Sequence, residues 1–261
     1  MLFTCHALGQ VASPWESYLA SGVSAAEQKR FTAAEQLLAL ALGEAEHFGP
    51  SDARLGSTLN TTGLVFMAEN KPREAVAPYR RALGIFEKVY GPKGMDVGNV
   101  CLNLGIALNM DGQSEAALPM LTRAREIYEA ILGRESPKTA LVIFQQGEAA
   151  RHLHKWDEAE ASLKRAADLQ EAQGGMDSPE LAASLNSLAL AYSSQGKFAQ
   201  AEPLFKLSLN MREAKYGLNH EDVAVSLDNY ATMLREAGRF KDSQPLTTLA
   251  DAVRKSLRGK K

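Results

Sequence analysis

The chain has 261 residues, 45% hydrophobic but only 7% aromatic, with a net charge of −2 from 31 acids and 29 bases. That balance excludes the broad basic field of a polyanion-binding protein, and two cysteines exclude a disulfide framework. No run approaches the ~18 apolar residues of a membrane span, and alanine, which favours closely packed helices, carries much of the apolar share.

The chain opens with a segment, 1–14, whose small residues resemble the end of an export signal but lack a basic start and a full apolar stretch. Two readings stay open for it: the remnant of a longer signal on an exported or periplasmic protein, or the frayed end of a cytoplasmic one. An irregular unit follows from Trp15 to Phe48. Its Phe31-Thr32-Ala33-Ala34-Glu35 matches Phe198-Ala199-Gln200-Ala201-Glu202, with one residue missing afterwards.

From there the chain is periodic. Gly49, Gly91, Gly133, Gly175, Gly217 and Gly259 recur every 42 residues, the mark of a stacked array rather than of one closed core. Ser178-Pro179-Glu180, and Ser136-Pro137 one unit earlier, are helix openings: a capping hydroxyl, a proline suited to the first turn and an acid at the positive end. Leu181, Leu185, Leu188, Ala189 and Tyr192 then follow at helical spacing, and Ser193-Ser194-Gln195-Gly196 ends that helix. A second helix is predicted from about Phe198 to Tyr216, closed by Gly217. In the first helix a small column reads Gly63, Gly105, Gly147, Ala189, Ala231; in the second a bulky column reads Tyr79, Leu121, Leu163, Phe205, Thr247. Small columns let helices approach and bulky ones fill the space between. Pro78, Pro119, Pro203 and Pro245 recur early in the second helices, which argues for a tolerated geometry rather than a break. Cys101 falls on a core-facing column and is predicted to be buried. Basic residues gather at 254–261, leaving −7 on the rest of the chain; they suit the negative end of a last helix.

These columns, with stretches such as Ser184-Leu185-Asn186-Ser187-Leu188-Ala189, resemble the tetratricopeptide repeat, in the long form found in kinesin light chains and many bacterial proteins. The usual unit has about 34 residues. The resemblance implies an all-α, right-handed solenoid of about six antiparallel helix pairs over 15–259, in units of about 15–49, 50–91, 92–133, 134–175, 176–217 and 218–259, with 260–261 as a basic tail end.

No catalytic constellation stands out. His152 and His154 are wrongly spaced to share a helix face as metal ligands, and His154 takes the turn position that Gly112, Gly196 and Gly238 hold elsewhere. Trp156, in a column with Phe198 and Phe240, is read as packing. Gly91-Pro92-Lys93-Gly94 and Gly174-Gly175 lack phosphate-loop spacing. No enzyme activity, cofactor or metal is therefore expected. The resemblance implies that the first helix of each pair lines a concave groove. The columns there are rich in amides, which both donate and accept and so can pair with an extended peptide backbone. Asn60, Asn103, Gln145, Asn186 and Asn229, with Arg151 and Arg235, are the candidate peptide-binding residues, and Met67, Leu102 and Phe144 the apolar contacts among them. The alternative is that these positions are only the solvated side of amphipathic helices. The expected role is a non-catalytic scaffold for a protein or peptide partner, without nucleic acid or a membrane span. Self-association as a weak homo-oligomer is the alternative, with an enzyme or RNA binder more distant. Replacing Asn103 and Asn229 by alanine is expected to weaken the partner without changing melting.

Overall fold

The structure, a computed structural model, describes residues 13–258; the N-terminal segment through Ala12, with Cys5, and Gly259 with the last two lysines lie outside them. All regular structure there is helical: α1 (Pro14–Glu27), α2 (Phe31–Glu46), α3 (Ala53–Ala68), α4 (Pro72–Tyr90), α5 (Met95–Met110), α6 (Ser114–Leu132), α7 (Pro137–His152), α8 (Trp156–Gly174), α9 (Pro179–Ser194), α10 (Phe198–Tyr216), α11 (Glu221–Glu236) and α12 (Phe240–Arg258), with a short 3₁₀ turn at Gly175–Asp177. They alternate first and second members of antiparallel helix pairs, as the repeat predicts.

The chain divides into two compact units, Met1–Asp111 and Gly112–Lys261. Within the first, α1 packs on α2 and α3 on α4; within the second, α7 packs on α8, α9 on α10 and α11 on α12. Each second helix also packs on the first helix of the next pair, as α2 on α3, α4 on α5, α8 on α9 and α10 on α11. First helices touch their successors too, α1 to α3 and α3 to α5 in one unit, α7 to α9 and α9 to α11 in the other. The first helices thus form a shared layer in each unit.

Two kinds of turn punctuate the array. Every first helix passes to its partner through three residues whose middle member has positive φ: Lys29, Asn70, Gly112, His154, Gly196 and Gly238. The amide of the third residue bonds back five positions, as Lys71 to the Phe66 carbonyl at 2.8 Å and Lys197 to the Tyr192 carbonyl at 2.9 Å. This closure satisfies carbonyls left open at the helix end, and its ordinary left-handed φ admits asparagine, histidine or even lysine at modest cost. The other turn follows the second helix, where Gly91 has φ 76° and ψ 166° and Gly133 has φ 91° and ψ 164°. That region is closed to residues bearing a Cβ, and Gly175 and Gly217 occupy it after α8 and α10 as well.

The openings behave as predicted. Ser136 Oγ accepts from the Thr139 amide at 3.2 Å and Ser178 Oγ from the Leu181 amide at 3.1 Å, each followed by proline in the first turn. The internal prolines do not interrupt α4, α6, α10 or α12. Pro119, Pro203 and Pro245 lie on the exposed side near the helix start, where water can take the carbonyl each leaves unpaired.

Small and bulky columns meet inside the α3/α4 and α7/α8 pairs. A Cβ built on Gly63 would lie 2.4 Å from the Tyr79 ring, and one on Gly147 would lie 2.7 Å from Leu163 Cγ. Tyr79, Leu121, Leu163 and Phe205 are almost fully buried, as is Cys101. Thr247 is only half-buried. The C-terminal bases are partly structural: Arg254 on α12 reaches Glu221 at 3.2 Å and Asp228 at 2.5 Å, both on α11.

The residue before a second helix is basic in most pairs: Arg30, Lys71, Lys155, Lys197 and Arg239. A base is a poor choice beside the positive end of a helix, and two of these reach back to the preceding second helix instead. Lys71 Nζ meets Glu35 at 2.9 Å, and an Arg239 guanidinium nitrogen meets Glu202 at 2.6 Å. Glu202 also accepts from Lys206 and from the Tyr230 hydroxyl, each at 2.8 Å. Lys206 and then Arg239 hold its carboxyl down to about 2. A carboxyl lowered on folding contributes stability above its unfolded value and loses it as the pH falls through the folded one. Melting is therefore expected to decline between about pH 4.5 and pH 2, with a shallower decline in Glu202→Gln; parallel profiles for the two proteins would remove Glu202 from the account.

Candidate protein-binding face

The first-helix layers of the two units carry every side chain expected to meet a partner. In the first unit Asn103 on α5 donates through Nδ2 to Oδ1 of Asn60 on α3 at 3.1 Å. In the second, Asn229 on α11 donates to Oδ1 of Asn186 on α9 at 3.2 Å. The two rungs are equivalent: each joins residues 43 apart on successive first helices. Asn60, Asn103 and Asn229 are half-buried, whereas Asn186 is buried. Each rung uses one hydrogen of one amide and one oxygen of the other, so the opposite ends keep hydrogen-bonding capacity. The pairing holds those ends in fixed orientation.

Other polar links run the same way. Trp15 Nε1 donates to Thr58 Oγ1 at 2.8 Å, and Ser193 Oγ donates to Glu236 at 2.8 Å, again 43 residues apart. Columns aligned at the repeat length do not show these cross-helix contacts, because neighbouring first helices meet one residue out of step. The offset of one between the asparagines is the signal that could have found them.

Arg151 on α7 is held by Glu148 through two hydrogen bonds, Nε to Oε1 at 2.9 Å and a terminal nitrogen to Oε2 at 3.0 Å. Burial pushes the Glu148 carboxyl up, but Arg151, joined by the Ser187 hydroxyl of α9, outweighs it and leaves the group below its ordinary value. Burial and the Arg151 charge lower His152. Sequence reasoning misses Glu148, though its place three residues before an arginine on one helix face points to the pair. Arg235 is exposed and donates to Thr232 at 2.8 Å, leaving most of its guanidinium open. Gln145 is half-buried on α7. Of the apolar candidates, Leu102 belongs to the core, while Met67 and Phe144 are half-buried.

His154 forms its turn at φ 56° and packs edge-on against Trp156, ring centroids 5.0 Å apart. Among the described residues no group of three or more histidine, cysteine or acidic side chains is placed to hold a metal ion, and no helix is long and apolar enough to cross a membrane.

Known proteins share this architecture. The chain is similar in structure to BtubC (BKLC) from P. vanneervenii at 18% identity and a TM-score of 0.66, covering 95% of this chain and 94% of that one. A putative kinesin light chain from Podosopora anserina, with nearly identical TPR-like repeats, aligns at 20% identity and a TM-score of 0.63, over 80% and 98% of the two chains. A Rap protein solved in complex with Competence and Sporulation Factor aligns at 17% identity and a TM-score of 0.60, over 95% and 77%. No curated protein sequence gives a significant match. The tetratricopeptide repeat profile matches overlapping segments at 79–130, 96–172, 138–214 and 180–246, well over half of the sequence, and the chain belongs to the tetratricopeptide repeat family.

Proposed function

We propose that the protein is a non-catalytic scaffold whose first-helix face holds an extended peptide segment of a protein partner. The repeated asparagine rung carries this reading. Two equivalent pairs, Asn60 with Asn103 in the first unit and Asn186 with Asn229 in the second, orient amides on the first helices of each unit, and an oriented amide can pair with both the N–H and the C=O of a peptide strand. The fold supports protein binding as its use, and the similar Rap structure holds a bound factor.

The test is selection of peptides from a random display library, followed by titration of the best binder. Asn103→Ala with Asn229→Ala is expected to weaken it about thirtyfold, as loss of two hydrogen bonds worth ~1 kcal/mol each implies. Because these amides also pair with each other, the variant is expected to melt slightly below the parent rather than at the same temperature. Undiminished affinity would exclude the face.

One observation favours a second reading, self-association. Phe240 on α12 is 66% exposed, whereas Trp156 and Phe198 in the same column are half-buried. Such a large apolar side chain is an anchor for another copy. Light scattering across concentration then shows a rising mass that Phe240→Ser abolishes; a monomer throughout rules this reading out.

A further inference from the structure

A cavity of about 350 Å³ in the second unit is lined by Arg125, Glu129, Arg134, Arg165 and Ile143. Arg125 and Glu129 lie on α6, Arg134 in the loop that follows, Arg165 on α8, and the buried Ile143 of α7 contributes apolar surface. These residues are distinct from the first-helix amides, so the inference stands apart from the reading above.

The cluster is short of negative charge. Glu129 is its one carboxylate. Arg125 Nε takes one of its oxygens at 2.7 Å, and Arg134 approaches the other at 4.0 Å. Arg165 has no carboxylate within ion-pair distance among the described residues. The repeat shows how unusual this is. Arg81 holds the position equivalent to Arg165 two units earlier, and there it donates to Glu46, the counterpart of Glu129, at 2.9 Å. In the present unit that carboxylate is already engaged. Positions equivalent to Arg125 hold Leu83, Ala167, Leu209 and Asp251, and those equivalent to Arg134 hold Pro92, Met176 and Leu218. Three guanidinium groups therefore converge only where these two successive repeats meet, with two positive charges in excess.

We propose that this cavity binds a phosphomonoester group. Arginine forks fit tetrahedral and planar oxyanions through paired hydrogen bonds. The charge excess selects among them, because a phosphomonoester carries nearly two negative charges at pH 7, whereas a carboxylate would leave one guanidinium uncompensated. The phosphate comes either from a modified side chain of a protein or from a free small molecule.

Titration calorimetry with phenyl phosphate and with benzoate tests the charge argument, and a phosphoserine peptide with uncharged flanks separates the sources. Phenyl phosphate is expected to bind at least tenfold more tightly than benzoate. Arg125→Leu with Arg165→Leu is expected to lose at least tenfold of that affinity while keeping helicity, because leucine already occupies both positions in other repeats, as Leu83 and Leu207. A peptide tenfold tighter than phenyl phosphate assigns the site to a phosphorylated protein, and equal affinities assign it to a free phosphomonoester. Equal binding of benzoate and phenyl phosphate, or full affinity in the double variant, overturns the proposal.

Discussion

Phe205→Ala is expected to lower the unfolding free energy by about 3–5 kcal/mol, the range for deleting a buried phenylalanine ring. Phe205 is 1% exposed and sits on α10 in a cluster with Leu163, Leu188, Ala189, Tyr192, Tyr230, Met233 and Leu234. These neighbours come from α8, α9 and α11, so one ring joins three successive pairs. It stacks on Tyr230 with centroids 6.1 Å apart. The cavity left behind cannot be refilled by Ala201, the small residue one turn earlier, and the loss falls on interfaces in both directions along the array. Because stability in such arrays is roughly a sum over units and their interfaces, the effect should appear as earlier unfolding of the second unit. Urea denaturation followed by circular dichroism measures it, and a loss below about 1 kcal/mol would mean that the pairs are not coupled through this ring.

The second large effect reverses the usual rule for glycine in helices. Alanine in place of an interior helical glycine normally gains about 1 kcal/mol. At Gly84 on α4 an added methyl carbon would meet nothing within 4 Å, so Gly84→Ala is expected to stabilise by up to that amount. Gly63→Ala and Gly147→Ala are expected to destabilise by about 1–3 kcal/mol, the cost of overpacking. At Gly63 the obstruction is the Tyr79 ring at 2.4 Å, itself 1% exposed and unable to swing aside. At Gly147 it is Leu163, including its backbone nitrogen at 3.2 Å. Ala189 and Ala231 occupy the same column in later pairs, so each pair sets its own helix spacing. Thermal melting of the three variants checks the contrast, and stabilisation of all three would show that the first and second helices are not in close contact.

Most of the fold is legible in the sequence because its determinants are local and repeated. The second helix predicted from Phe198 to Tyr216 is α10, and the capping roles of Ser136 and Ser178 follow from their own dipeptides. The strict glycine series is visible because a Gly-only backbone region tolerates no substitute. The companion turn series is harder to see, since Lys29, Asn70 and His154 stand in it beside glycines. The candidate face is legible as a set of residues and not as a set of contacts. The amides can be placed on first helices, but that Asn103 bonds Asn60 and that Glu148 engages Arg151 depends on how far one helix is shifted against the next. The arginine cavity is hidden for the same reason: Arg125, Arg134 and Arg165 are scattered along the sequence and meet only across α6, α7 and α8.

Two closely matched seams make one repeat separable as a cassette. Gly133 is followed after two residues by Ser136-Pro137, and Gly175 after two residues by Ser178-Pro179. Excising residues 134–175 would join one seam to a closely similar one, with a glycine turn, a serine cap followed by proline and the same phase of every helix downstream. Loss or duplication of such a block changes the length of the array without disturbing its grammar, which offers a route by which new lengths of binding surface arise in a single genetic step.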